Sequence, residues 1–175
     1  MGLMLDNGYA LVEYPEWGPR YTQKRNERPD LPKGIDRVFI HHSVTPVSTD
    51  PCRDMRICEQ ALHSNGYDPG YSYTVHPSGV VLEGAGKKKG IHTLNHNSTS
   101  YAICLIGNYD VAQPTLAQII AITRTINLLR VSGHLNLTSA DQIQPHRAVY
   151  ATACPGANVV GRNMDFIRWY TFNPV

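Results

Sequence analysis

The residues with most to offer chemically are a histidine and a cysteine towards the C-terminus. His146 and Cys154 stand eight positions apart in His146-Arg147-Ala148-Val149-Tyr150-Ala151-Thr152-Ala153-Cys154-Pro155-Gly156. A loop of that length can fold an imidazole and a thiolate onto one ion, and zinc accepts N and S ligands at about 2.0–2.3 Å. Two ligands alone do not make a site. A histidine from the end of a central strand would complete a three-ligand set with an open position for water, the arrangement of catalytic rather than structural zinc. Val38-Phe39-Ile40-His41-His42-Ser43-Val44 offers two histidines at such a strand end. Successive strand side chains point to opposite faces, so His41 and His42 cannot easily share one site. Spacing leaves open which of them is the ligand.

The elements that must position these groups follow from periodicity and punctuation. Residues 37–41 read as a short strand. Asp50-Pro51 is a capped helix start, and the helix runs to Asn65-Gly66 with Met55, Cys58 and Leu62 on its apolar side. Residues 71–75 alternate as a strand, Pro77-Ser78-Gly79 turns, and residues 80–83 return as the hairpin partner. Residues 101–106 are nearly all apolar, as a strand covered on both faces requires. Pro114-Thr115 opens the longest helix, to about Ser132, and a last helix is predicted over 159–170. Strands and helices intermingle around one hairpin, so the fold class is α/β, a single domain with a central mixed β-sheet flanked by helices. Residues 1–34 lack periodicity and read as an N-terminal arm or irregular cover ahead of a unit at 35–175.

Composition narrows the function classes. An apolar fraction of 42%, a charged fraction of 17% and a net charge of +2 suit a globular domain with a sizeable core. The charge is too mild to call for a nucleic-acid partner. Residues 1–17 show no basic region followed by a long apolar core, so neither a signal peptide nor membrane insertion is expected. A cytosolic product released by another route and a fragment of a longer chain both fit. Cys104, inside an apolar run, reads as a buried inert thiol.

Four segments occur in a telling order: Phe39-Ile40-His41-His42-Ser43, Pro69-Gly70-Tyr71-Ser72-Tyr73, residues 100–109 and residues 146–156. Together with Glu16-Trp17-Gly18 they resemble the zinc-dependent N-acetylmuramoyl-L-alanine amidases of the type-2 amidase and peptidoglycan-recognition-protein family, over about residues 15–170. The resemblance places the metal ligands for Zn2+ on His41, His146 and Cys154. It places the tyrosine beside the metal on Tyr71 and a polar assistant on Thr152, where phage lysozyme-type members carry a lysine. It sets His92 on the wall of the substrate groove. The step from Cys52 to Cys58 matches a disulfide that many members carry; such a bridge would contribute about 2 kcal/mol by loop entropy.

The chemistry implied is hydrolysis of the amide between N-acetylmuramic acid and L-alanine of the stem peptide. Zinc lowers the pKa of water towards ~7 and polarises the carbonyl. Tyr71, with an ordinary pKa of about 10, suits hydrogen-bond donation better than base catalysis, and Thr152 can supply a hydroxyl. The expected partner is bacterial peptidoglycan, met by a monomer at the cell wall, and the role expected first is that of a phage endolysin. The alternative is a muropeptide-binding module of the same fold that cuts nothing. His42 is expected to pack on the opposite face from His41, and His63 and His76 to lie on the surface.

Overall fold

The computed structural model describes residues 3–5 and 9–174. Seven strands form one mixed sheet: β1 (Leu3–Leu5), β2 (Tyr9–Val12), β3 (Val38–His42), β4 (Tyr73–Val75), β5 (Val81–Glu83), β6 (Tyr101–Leu105) and β7 (Ile143–Pro145), in the order β1-β2-β5-β4-β6-β3-β7. Strands β4, β6, β3 and β7 run parallel to one another and β2 runs parallel to β5, while β4–β5 and β1–β2 are antiparallel. Among the described residues are four α-helices, α1 (Thr22–Glu27), α2 (Pro51–Ser64), α3 (Leu116–Val131) and α4 (Arg162–Phe172). None of the described helices is long and apolar enough to cross a membrane.

Every residue of β3 and β6 is buried, as apolar interior strands require. Alternation sorts them between two cores. Val38 and Ile40 join Tyr101, Ile103 and Leu105 against Ile122, Ile126 and Ile167 of α3 and α4. The other face carries a smaller cluster in which Trp17 and Met55 of α2 meet Leu82 and Ile106. Both long helices begin where capping chemistry predicts. Asp50 accepts the Arg53 N–H at 3.0 Å, and Thr115 with Gln118 forms a reciprocal capping box.

Several boundaries differ from the sequence reading. The second predicted strand starts at Tyr73, because the carbonyls of Tyr71 and Ser72 are taken by the N–H groups of residues 84–86 instead of the ladder. The last helix starts at Arg162, after Gly161 in a left-handed conformation. The arm is less irregular than expected, since Tyr9–Val12 pairs in parallel with β5, Leu11 opposite Val81. Its residues 1, 2 and 6–8 lie outside the described residues. Trp17 is buried, donating Nε1–H to Glu83 O at 2.8 Å, and Arg25 pairs with the Glu83 carboxylate at 3.0 Å.

The Cys52–Cys58 bridge is corrected: both are free thiols. They lie on one helix, and six residues of α-helix rise about 9 Å and turn most of the way to the opposite face. A disulfide needs Cα atoms within about 7 Å.

Candidate metal centre

β3 delivers His41 to one end of the sheet. Pairing with β6 sets His41 opposite Cys104, on the face away from α3 and α4. His42 turns to the other face, where its Nδ1 accepts the Tyr109 N–H at 3.2 Å. The doublet is divided as alternation demands. β7 ends at Pro145, and the next residue, His146, opens a single 3-10 turn. Arg147 closes the loop behind it. Its backbone N–H donates to Cys154 O at 3.0 Å, and its guanidinium reaches the carbonyls of Ala153 and Cys154. Gly156 follows with φ +96°, where a Cβ would overlap the Tyr109 backbone, so the loop end can seat only with glycine there.

The result is a convergence of donors. Ligand atoms of His41, His146 and Cys154 all lie within 4.8 Å of one another. Cys154 Sγ is 3.5 Å from His41 Nδ1 and accepts the His42 backbone N–H at 3.4 Å. Thr152 Oγ1 accepts the Cys154 N–H at 3.2 Å, so its hydroxyl proton remains available to another acceptor.

Electrostatics leaves the histidines neutral. Burial pushes His41 well below the ordinary imidazole value, helped by His92, His146 and His42, and burial lowers His146. Burial pushes the Cys154 thiol up to about 11, against the His42 N–H and the Arg147 charge. Two neutral imidazoles and a thiol that needs a cation to ionise at neutral pH fit zinc, which takes N and S donors together.

Around these three, Tyr71 sits in the turn before β4, its ring centroid 5.1 Å from that of His41. Burial of its hydroxyl beside Cys104, Cys58 and Cys154 raises the phenol well above its ordinary value. His92 stands edge-on to His41 at 5.7 Å, and burial lowers it to about 3. A groove of about 410 Å3 opens beside them, walled by Tyr67, Ile91, His92, Leu94, His146 and Tyr150.

Residue-type reasoning passed over three contributors. Thr93 is buried between His41 and His92, Arg147 clamps the ligand loop, and Tyr150 stacks on His146 at 5.6 Å and 13°. Each stands next to or near a flagged residue in sequence, which was the only signal. His76 is a further correction. It is buried, not on the surface, because the hairpin turn packs against the approach to α2. There its Nε2 meets Ser48 O at 3.1 Å and Asp54 Oδ2 at 3.4 Å, and its Nδ1 meets Ser78 Oγ at 2.8 Å.

Comparison with known proteins gives this arrangement a family. The N-acetylmuramoyl-L-alanine amidase family model matches residues 31–157, and the chain belongs to that family. The human N-acetylmuramoyl-L-alanine amidase is 33% identical over 150 residues, covering 80% of this chain and 25% of the human protein. The chain thus spans about a quarter of that relative's length. Peptidoglycan-recognition protein SC2 of Drosophila simulans is 28% identical over 172 residues, covering 93% of this chain and 89% of the relative. Among solved structures, a variant of Drosophila peptidoglycan-recognition protein LB in complex with tracheal cytotoxin superposes with a TM-score of 0.74 at 28% identity, covering 85% of this chain and 89% of that one. The mixed sheet flanked by helices is the fold of these proteins.

Proposed function

We propose that this chain is a zinc-dependent hydrolase of peptidoglycan that cuts the amide between the lactyl group of N-acetylmuramic acid and L-alanine. The observation that carries the reading is the convergence of His41, His146 and Cys154 beside an open groove. The amidase family and the cytotoxin complex of a relative support the substrate class.

When bound, zinc supplies Lewis acidity towards a carbonyl and a water. The chain's own residues supply the rest. Neutral His41 and His146 would hold the ion with the Cys154 thiolate, and Arg147 ties the last two together within one loop. The Tyr71 phenol stays protonated at neutral pH, so its part is to donate a hydrogen bond to developing oxyanion charge. Thr152, its lone pair engaged by the Cys154 N–H, has a hydroxyl proton to direct at the same oxygen. The balance is one water added: oxygen joins the carbonyl carbon, the C–N bond breaks, and a proton reaches the departing L-alanine nitrogen.

The same reading has the protein act as a monomer at the bacterial wall, in lysis of the phage endolysin kind, with residues 35–175 as catalytic unit and 1–34 as cover. Mass spectrometry of purified walls digested with the protein tests it. New free N-terminal L-alanine is the expected product. Wall binding with no zinc and no release would make the protein a muropeptide-binding module instead.

A further inference from the structure

Thr93 sits where two histidines meet. Its buried hydroxyl is 3.3 Å from His41 Nε2 and 3.0 Å from His92 Nδ1. Asn97 Oδ1 accepts the backbone N–H groups of both His92 and Thr93 at 2.9 Å, which fixes the segment carrying them. Behind it, a Cβ on Gly90 would overlap Gly70 O, so this loop also lies tight against the one that presents Tyr71.

With a cation in the site, one arrangement of protons along these contacts gives both the His41 N–H and the Thr93 hydroxyl an acceptor. His41 Nδ1 is the nitrogen facing Cys154 Sγ, so the cation takes the lone pair there and the ring proton stays on Nε2. That N–H can only donate, and Thr93 Oγ1 is beside it. Having accepted from His41, the hydroxyl gives its own proton to His92 Nδ1. The proton of neutral His92 then resides on Nε2. That nitrogen is buried, meets no protein partner, and belongs to a residue that walls the groove next to His146. A buried N–H without an acceptor is costly, which marks it as built for an acceptor that arrives with a ligand.

We propose that Thr93 is a positioning residue coupling metal loading at His41 to the tautomer of His92, so that His92 Nε2–H is presented to a carbonyl oxygen of the bound muramyl peptide. Without the cation the His41 proton can occupy either nitrogen and the chain has no fixed direction. The ligand's identity rests on the hydrolase reading; the hydrogen-bond chain itself does not. Metal-bound imidazoles ordinarily give their second N–H to a carbonyl, carboxylate or water, and such partners are worth about 10–100-fold in metal affinity. Here a threonine hydroxyl takes that place and passes the polarity on.

The test uses the full chain labelled with 15N-histidine, with and without zinc, as wild type, Thr93→Val and Thr93→Ser. Long-range proton–nitrogen correlations read the tautomer, and chelator competition reads the affinity. Zinc-loaded wild type and Thr93→Ser are expected to hold His92 in the Nε2–H form. Thr93→Val is expected to lose that preference and to bind zinc about 10–100-fold more weakly. Zinc-loaded wild type with His92 in the Nδ1–H form overturns the relay, and so does Thr93→Val with tautomer and affinity unchanged. The wild-type spectra decide the tautomer however stable the variants are. A protein that binds no zinc defeats this relay and the hydrolase reading together, whereas zinc binding with the wrong tautomer defeats the relay alone.

Discussion

Two regions of this molecule bury a histidine among polar groups, and they do opposite things with it. Around His76, each nitrogen has its partners: Ser48 O and Asp54 on one side, the Ser78 hydroxyl and backbone N–H on the other. Asp54, fully buried, also takes the Ser48 N–H at 2.6 Å and hydroxyl at 2.7 Å. The cluster ties the hairpin turn to the approach to α2. Around His41, three side chains of the kinds that can bind a metal crowd together, and a neighbouring imidazole nitrogen is left without a partner. Burial with satisfaction makes a strut; burial with converging, uncommitted donors makes a site.

The largest effects are expected at the His41–His146–Cys154 cluster. Cys154→Ser or His41→Ala is expected to remove stoichiometric zinc and to lower wall hydrolysis by several orders of magnitude, checked by metal analysis and product release. Asp54→Ala tests the other side. It leaves the Ser48 N–H and hydroxyl without their buried acceptor, so a loss of about 3 kcal/mol in urea unfolding is expected, with zinc content of the folded protein unchanged. His42→Ala separates the doublet: about 1–2 kcal/mol of stability should go with the Tyr109 N–H acceptor, and the metal should stay. Retained zinc in His41→Ala but not in His42→Ala would reverse the assignment.

A pH dependence of the metal-free protein is also expected. His92 is held to about 3 by burial, then by His146 and His96, whereas an unfolded histidine titrates near 6.5. The unfolded chain therefore binds protons first as pH falls. Stability from keeping His92 neutral is complete above about 6.5 and is lost progressively towards 3. Urea midpoints should fall between pH 7 and pH 4.5, and His92→Gln should flatten that decline.

Much of the site's scaffold was legible because it is written in local chemistry. The apolar run ending in His41-His42, the Asp50 and Thr115 caps, and the continuous apolar character of β6 each specify their element without help from elsewhere. Which histidine meets His146 and Cys154 was less local, since alternation divides the pair and only the motif register chooses between them. What stayed hidden depends on distant partners. β2 is a strand because β5, some seventy residues on, offers an edge. His76 is buried because a turn folds onto Ser48, and Thr93 matters because two histidines from separate loops approach it. The Cys52–Cys58 bridge failed for a local reason: the cap at Asp50 starts α2 early enough to put both cysteines on the helix.

On the proposed reading, His41, His146 and Cys154 hold a zinc ion that the wall-cutting reaction needs. Its most direct measurement is mass spectrometry of wall digests by the protein as purified, after chelation, and after zinc is restored. Free N-terminal L-alanine is expected in the first and third digests and none in the second. Equal release in all three, or none from protein carrying one zinc per chain, would contradict it.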